Sequence, residues 1–142
     1  MVNPEPQVGY VLKQAQSLLR RRLEEALRPL DLTVTQYSCM HHLRREPGIS
    51  AAGLARSTFV TRQSMTAMLQ QLIERGIVTR TDSADGGRAI PVALTDAGGD
   101  LLDQAQTAVD VVEERMLTTL TAADRRALAR CLAACVAALE DD

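Results

Sequence analysis

Apolar residues recur along this chain at two different periods, and the switch between them marks out its elements. Val11, Ala15, Leu18, Leu19, Leu23, Ala26 and Leu27 repeat at spacings of three and four, which predicts a first helix over about Val8 to Arg28. Pro29 limits it, because proline cannot occupy a helix interior. A second helix is expected near Thr33, where TVTQ reads as a capping box with Thr33 as N-cap and Gln36 answering it. Val34, Tyr37, Met40 and Leu43 line one side of it, and Pro47 and Gly48 break the pattern. Ser50 can cap a short third helix, AAGLAR, and Ser57 to Val60 then form a tight connection. Thr61 can cap a fourth helix whose apolar stripe is Met65, Met68, Leu69, Leu72 and Ile73. Gly76 stands where a helix C-terminus favours a left-handed residue.

Beyond Gly76 the period shortens. IVTR is β-branched, SADGG is turn-forming, and RAIPVALT alternates, with Ile90, Val92 and Leu94 facing one way. This predicts a β-hairpin, with Pro91 restricting the second strand to an edge. A lone hairpin is marginal in water and must lean on the helices. Two helices close the chain. The fifth, from about Asp96 to Thr119, carries Leu101, Leu102, Ala105, Val109, Val112, Met116 and Leu117. The sixth begins at a second capping box, TAAD from Thr121, and runs towards Glu140 with Leu128, Leu132, Cys135, Val136 and Leu139 on its apolar face. Short helix, turn, helix with a polar start, then hairpin is the order of a winged helix-turn-helix. The first, fifth and sixth helices exceed what such a domain needs, and a subunit interface is the simplest use for their apolar faces.

The chain has 142 residues, 46% hydrophobic and 24% charged, which suits one domain with a buried core. That core must be aliphatic, since there is no Trp, one Phe and two Tyr. So few rings count against a single-strand nucleic-acid stacking platform. Net charge is -2, but its distribution is uneven: residues 1–76 hold ten basic and six acidic side chains, whereas residues 77–142 hold six and twelve. The stretch 44–94 has a balance of +3, which fits a protein presenting one face to DNA. No apolar run is long enough for a membrane span and no basic-then-apolar leader opens the chain, so a cytoplasmic location is expected. Catalytic spacings, phosphate-cradling glycine loops and common metal-ligand motifs are not visible, so no enzyme activity, cofactor or metal is expected.

The segments LTVTQYSCMHHLRREPGIS, AAGLARSTFVTRQSMTAMLQQLIERGIVTR and DSADGGRAIPVALTDAG fall in an order and spacing that resembles the MarR (multiple-antibiotic-resistance) regulators. The resemblance implies a mainly α fold: a winged helix-turn-helix of six helices plus a two- or three-stranded β-wing, with a helical dimerisation region built from both termini. On that reading residues 1–30 and 96–142 dimerise and residues 31–95 bind DNA. The implied function is a sequence-specific, double-stranded DNA-binding transcriptional regulator acting as a homodimer on a near-palindromic operator. It would be a repressor released by a small aromatic or phenolic effector. The family wing carries an arginine six positions before the Leu of its LT pair. Arg88 keeps that distance to Leu94, while Gly86 stands where the family's wing aspartate would be and Asp85 lies one place further out.

Candidate DNA contacts follow from the polar start of the fourth helix: Thr61, Arg62, Gln63, Ser64 and Thr66. Arginine and glutamine can reach base edges bidentately, and hydroxyls can reach phosphate or a thymine methyl. Each has an ordinary alternative: Thr61 as a cap, Arg62, Gln63 and Thr66 as solvated surface. Arg88 at the hairpin tip suits a narrow minor groove. Arg56 and Arg80 are open between phosphate contact and internal salt bridge, and Arg20 to Arg22 between a solvated or salt-bridged face and a DNA or partner contact. Tyr37, Met40 and His41 are candidates for an effector cavity, against a plain core role for Tyr37 and Met40; of the adjacent His41 and His42, one is expected to face solvent. Cys39, Cys131 and Cys135 read first as small buried hydrophobes. Cys131 and Cys135 share a helix face, which leaves open an intersubunit disulfide and a redox-sensing regulator. A winged-helix adaptor that does not bind DNA is the other alternative.

Overall fold

The computed structural model describes residues 7–81 and 92–140. Helix α1 (Val8–Leu27) leads into a 3-10 turn (Arg28–Leu30), followed by α2 (Val34–Arg45), α3 (Ala51–Thr58) and α4 (Arg62–Glu74). Strands β1 (Val78–Arg80) and β2 (Val92–Leu94) pair antiparallel, with Val78 opposite Leu94 and Arg80 opposite Val92. The long α5 (Asp96–Leu117) and α6 (Ala122–Leu139) complete the chain. This is the winged helix-turn-helix order expected from the sequence.

Helix ends sit where side chains can replace lost backbone partners. Thr33 accepts the Gln36 N–H while the Gln36 side chain accepts the Thr33 N–H, a complete capping box. Ser50, Thr61, Thr95 and Thr121 cap α3, α4, α5 and α6 by accepting the N–H three residues on. Pro29 ends α1 by tightening the chain into the 3-10 turn, which closes on Asp31 in the left-handed region. Gly76 takes φ +74 after α4, as a C-terminal glycine should.

The turn between α3 and α4 is shorter than the sequence suggests. Ser57 and Thr58 continue α3, and Thr58 Oγ1 donates to the Leu54 carbonyl. Reversal falls on Phe59 alone, at φ 59 and ψ 41. Val60 N–H reaches the Ala55 carbonyl and Phe59 N–H the Arg56 carbonyl, the paired bonds of a Schellman motif. Left-handed backbone costs an L-residue roughly 1–2 kcal/mol, so glycine is the expected occupant.

The core lies within residues 27–109. Leu27, Cys39, Met40, Leu54, Met65, Leu72 and Leu102 are shielded completely, joined by Val78 and Val92 from the wing base. Leu94 packs partly against them. Ile90 and Pro91 lie outside the described residues. At the wing base the Thr95 hydroxyl accepts the Gly98 N–H and donates to the Gly76 carbonyl, fastening the end of α4 to the start of α5. Gly98 is buried directly under the Ile77 carbonyl, where a Cβ would collide with backbone. Helix α6 contributes no buried residue. Among the described residues no helix is long and apolar enough to cross a membrane.

Candidate nucleic-acid interface

Helix α4 is held by one side only. Met65, Met68, Leu69 and Leu72 are buried against α2, α3 and the wing base, which leaves Arg62, Gln63, Ser64, Thr66 and Gln70 in solvent. At its start, Thr61 Oγ1 accepts the Ser64 N–H and donates to Ser64 Oγ. Thr66 Oγ1 donates back to the Arg62 carbonyl at 2.9 Å, which turns its methyl and one lone pair outward. The first-turn N–H groups of Arg62 and Gln63 stay available at the positive end of the helix dipole.

Around this helix the sequence-derived candidates converge. Arg56 is exposed in the last turn of α3, and the Schellman turn brings that end beside the start of α4. Neither Arg56 nor Arg62 forms an ion pair among the described residues. Arg62, Thr66, Gln70 and Arg80 line an open groove of 430 Å³ whose far side is Ser50 and Ala51 at the start of α3. Arg80 donates through Nη2 to Gln70 Oε1 at 3.1 Å. That partner is a neutral amide, and among the described residues Arg80 forms no salt bridge. Arg88 lies outside the described residues.

Two features of this surface were not read from the sequence. Gln70 lies four residues after Thr66 and eight after Arg62, on the same stripe, so helical spacing alone points to it. From Pro47 to Ile73 there is no Asp or Glu, so α3 and α4 carry no fixed negative charge until Glu74, which ends the same stripe and accepts from Gln70 Nε2. That run is hidden by summing charge over longer windows.

The effector candidates separate. Met40 is wholly buried and serves the core. Tyr37 is half-buried on α2, and its hydroxyl donates to Gln106 Oε1 on α5 at 2.8 Å. Burial and the carboxylates of Glu113 and Asp110 push its pKa up. His41 stacks on Tyr37 with ring centroids 6.0 Å apart, and its Nδ1 is buried without a hydrogen-bond partner. Burial, then His42, Arg45 and Arg44, holds its pKa below the usual histidine value. Arg44 also reaches across to Asp103 on α5. A separate polar depression of 600 Å³, lined by Arg28, Asp31, Gln36, Glu74 and Arg75 among others, lies where α1, α2 and α4 end or begin.

Cys39 is buried against Met65, and desolvation pushes its thiol up to about 12, so it is an inert packing residue. Cys131 and Cys135 are exposed on α6 within the single chain. Of the Arg20 to Arg22 run, Arg20 pairs with Glu24 and Arg22 with Glu25, so two of the three charges are balanced along their own helix.

This arrangement has close counterparts. The MarR family profile matches residues 30–89. The HTH-type transcriptional repressor Rv2887 of Mycobacterium tuberculosis is 38% identical over 125 residues, spanning 88% of this chain and 90% of the relative. The chain belongs to the MarR family. Solved structures agree with that placement. M. tuberculosis Rv2887 in complex with salicylic acid superposes with a TM-score of 0.75 at 36% identity, covering 92% of this chain and 97% of that one. The same protein in complex with DNA superposes with a TM-score of 0.77 at 34% identity, covering 90% and 96%. This MarR-family chain is a DNA-binding transcriptional regulator and not an enzyme. In helix-turn-helix proteins the second helix of the pair enters the major groove, and α4 occupies that position in this chain.

Proposed function

We propose that the protein is a homodimeric repressor of a near-palindromic operator, released when a small aromatic acid binds. The observation that carries this reading is the solvated side of α4, free of acids from Arg62 to Ile73 and anchored by a buried opposite side. Arg62, Gln63 and Thr66 read base edges in the major groove; Arg56, Thr61, Ser64 and Arg80 hold phosphates and fix register. Arg88 enters the adjacent minor groove, a role that rests on its place in the sequence alone. Residues 1–30 and 96–142 form the dimerisation region around the two DNA-binding units of residues 31–95. Support for a dimer comes from α6, whose Leu128, Leu132, Val136 and Leu139 are all exposed, and from Val8, Tyr10, Val11 and Leu12 on α1. Two copies joined there would set their α4 helices about one DNA turn apart, roughly 34–36 Å.

The effector part draws on the relative crystallised with salicylic acid. In this chain Tyr37 and His41, with a phenolic hydroxyl and an unpartnered ring nitrogen at the α2–α5 contact, are suited to a carboxylate or phenol. Such a ligand would alter the angle between the winged unit and α5. A regulator of this kind works where the chromosome is, in the cytoplasm.

Footprinting of the DNA upstream of the protein's own gene, with and without salicylate, tests both parts. A protected, near-symmetric site that fades with salicylate is expected. Protection nowhere in that region or in a selected random pool would sink the repressor reading, whereas salicylate-insensitive protection would sink only the effector. Arg88→Ala should weaken operator and random duplex alike and reduce the slope of log K against log salt by nearly one.

A further inference from the structure

The chain's single phenylalanine is in an unexpected place. Phe59 is 89% exposed, although aromatic rings are scarce here and the core is built without them. It also holds a left-handed backbone at φ 59, the position in the Schellman turn that glycine fills with least strain. Its side chain belongs to no buried cluster, so core packing does not account for it. An apolar ring on a strained, solvated turn is therefore disfavoured twice by folding, and its use must lie outside the folded chain.

Its surroundings say what kind of surface it meets. Arg56 precedes it by three residues and Arg62 follows by three, both exposed and unpaired among the described residues. Thr61, two residues on, caps the N-terminus of α4. No acid occurs in the sequence from Pro47 to Ile73. A ring collared by free guanidiniums and helix-end amides complements a polyanion that also carries apolar atoms. The edge of duplex DNA fits: deoxyribose carbons lie between phosphates, and thymine methyls line the major groove.

We propose that Phe59 is a nonpolar DNA contact, its ring seated on the sugar edge of the operator beside the phosphates bound by Arg56 and the start of α4. The inference rests on the DNA-binding reading above. It assigns part of the affinity to apolar burial, which releases no counterions and so leaves the salt dependence unchanged.

The test compares full-length wild type, Phe59→Gly, Phe59→Tyr and Arg62→Ala by fluorescence anisotropy. The probes are a duplex selected from a random pool by the wild type and an unselected duplex, each at several salt concentrations. Phe59→Gly should bind on the order of tenfold more weakly, with the wild-type salt slope and a melting temperature equal to or above wild type. Phe59→Tyr should retain most of the affinity, and Arg62→Ala should lower the slope. Wild-type affinity in Phe59→Gly would overturn the inference while leaving the DNA reading intact, and would turn attention to a protein partner at this turn. A lowered melting temperature, or a changed oligomeric state, in Phe59→Gly would make the residue structural and also overturn it. Failure of the wild type to select any duplex would instead overturn the reading on which the inference depends.

Discussion

The winged region and the terminal helices have similar apolar periodicity but put it to different use. In residues 31–109 the apolar stripes of α2, α3, α4 and the wing base close on one another, and Met40, Leu54, Met65, Leu72 and Leu102 are fully shielded. In α1 only Leu27 is buried, and in α6 nothing is. Val136 is 51% and Leu139 84% exposed, on a helix that is otherwise well capped and regular. Periodicity thus specifies a helix and its greasy side, but not whether the cover comes from the same chain. The winged region is covered within the same chain, with Leu27 of α1 and Leu102, Ala105 and Val109 of α5 completing its core. On the proposed dimer reading, a second copy covers the exposed faces of the terminal helices and gives the DNA-binding units a fixed spacing.

The first way to break this comparison is to damage the self-sufficient half. Gly98→Ala drives a methyl into the Ile77 carbonyl, where neither backbone can yield without opening the junction of wing and α5. Overpacking against backbone should cost about 3 kcal/mol or more. Thermal unfolding followed by circular dichroism should move down by many degrees. Gly99→Ala, one residue along and facing open space, is the matched control and should leave the melt unchanged or raise it. Equal melts for the two variants would mean the close approach at Gly98 is not real.

The second is to charge the half that awaits a partner. Leu132→Asp sits on the exposed face of α6, so the single chain loses no buried contact. Sedimentation should change from dimer to monomer at micromolar concentration. Operator affinity should fall about a hundredfold, because the two DNA-binding units no longer act together. Far-ultraviolet helicity of the winged region should persist. A dimer that survives this change would place the subunit interface elsewhere.

The third acts on the exposed side of α4. Arg62→Ala should weaken operator binding about tenfold, in the range of one lost base or phosphate contact, and leave the melt within a degree or two. The contrast with Gly98→Ala matters: one residue serves the duplex and the other the fold, though both belong to the same winged unit.

These contrasts also mark what the sequence could and could not tell. Caps were legible because the chemistry is local: Thr33 with Gln36, Ser50, Thr61 and Thr121 all act within three residues of themselves. The exposed face of α4 was legible because it is the complement of a clear apolar stripe. The turn at Phe59 was not, because it shows up only as the absence of the expected glycine, and Ser57 and Thr58 look like turn residues while extending a helix. Arg80 was undecided between phosphate and salt bridge; its partner, Gln70, is ten residues away and comes near only when β1 folds back along α4. Met40 and Tyr37 share an apolar pattern, yet one is sealed and the other reaches Gln106 across a helix contact that periodicity does not specify.

The smallest expected effect concerns the seam between the two regions, where His41 of α2 sits with its Nδ1 buried and unpaired. Burial, His42, Arg45 and Arg44 all disfavour its charged form, so folding lowers its pKa from the ordinary 6.5. The unfolded chain then binds the proton more readily than the folded one, and stability must rise with pH across the interval between the two values. Charging of His41 therefore adds no cost above about pH 7 and progressively destabilises the fold as pH drops below 6.5. Other groups titrate in the same range, so the informative quantity is a difference between proteins. Melting temperatures of wild type and His41→Gln should converge or differ by a constant above pH 7, and the wild type should lose ground as pH falls below 6.5. Parallel curves throughout would mean that water or a partner group already satisfies the ring nitrogen. A bound aromatic acid should reverse the sign, since a carboxylate accepting from a protonated His41 would favour the charged form; melting in salicylate would then fall off less steeply with acid than melting without it.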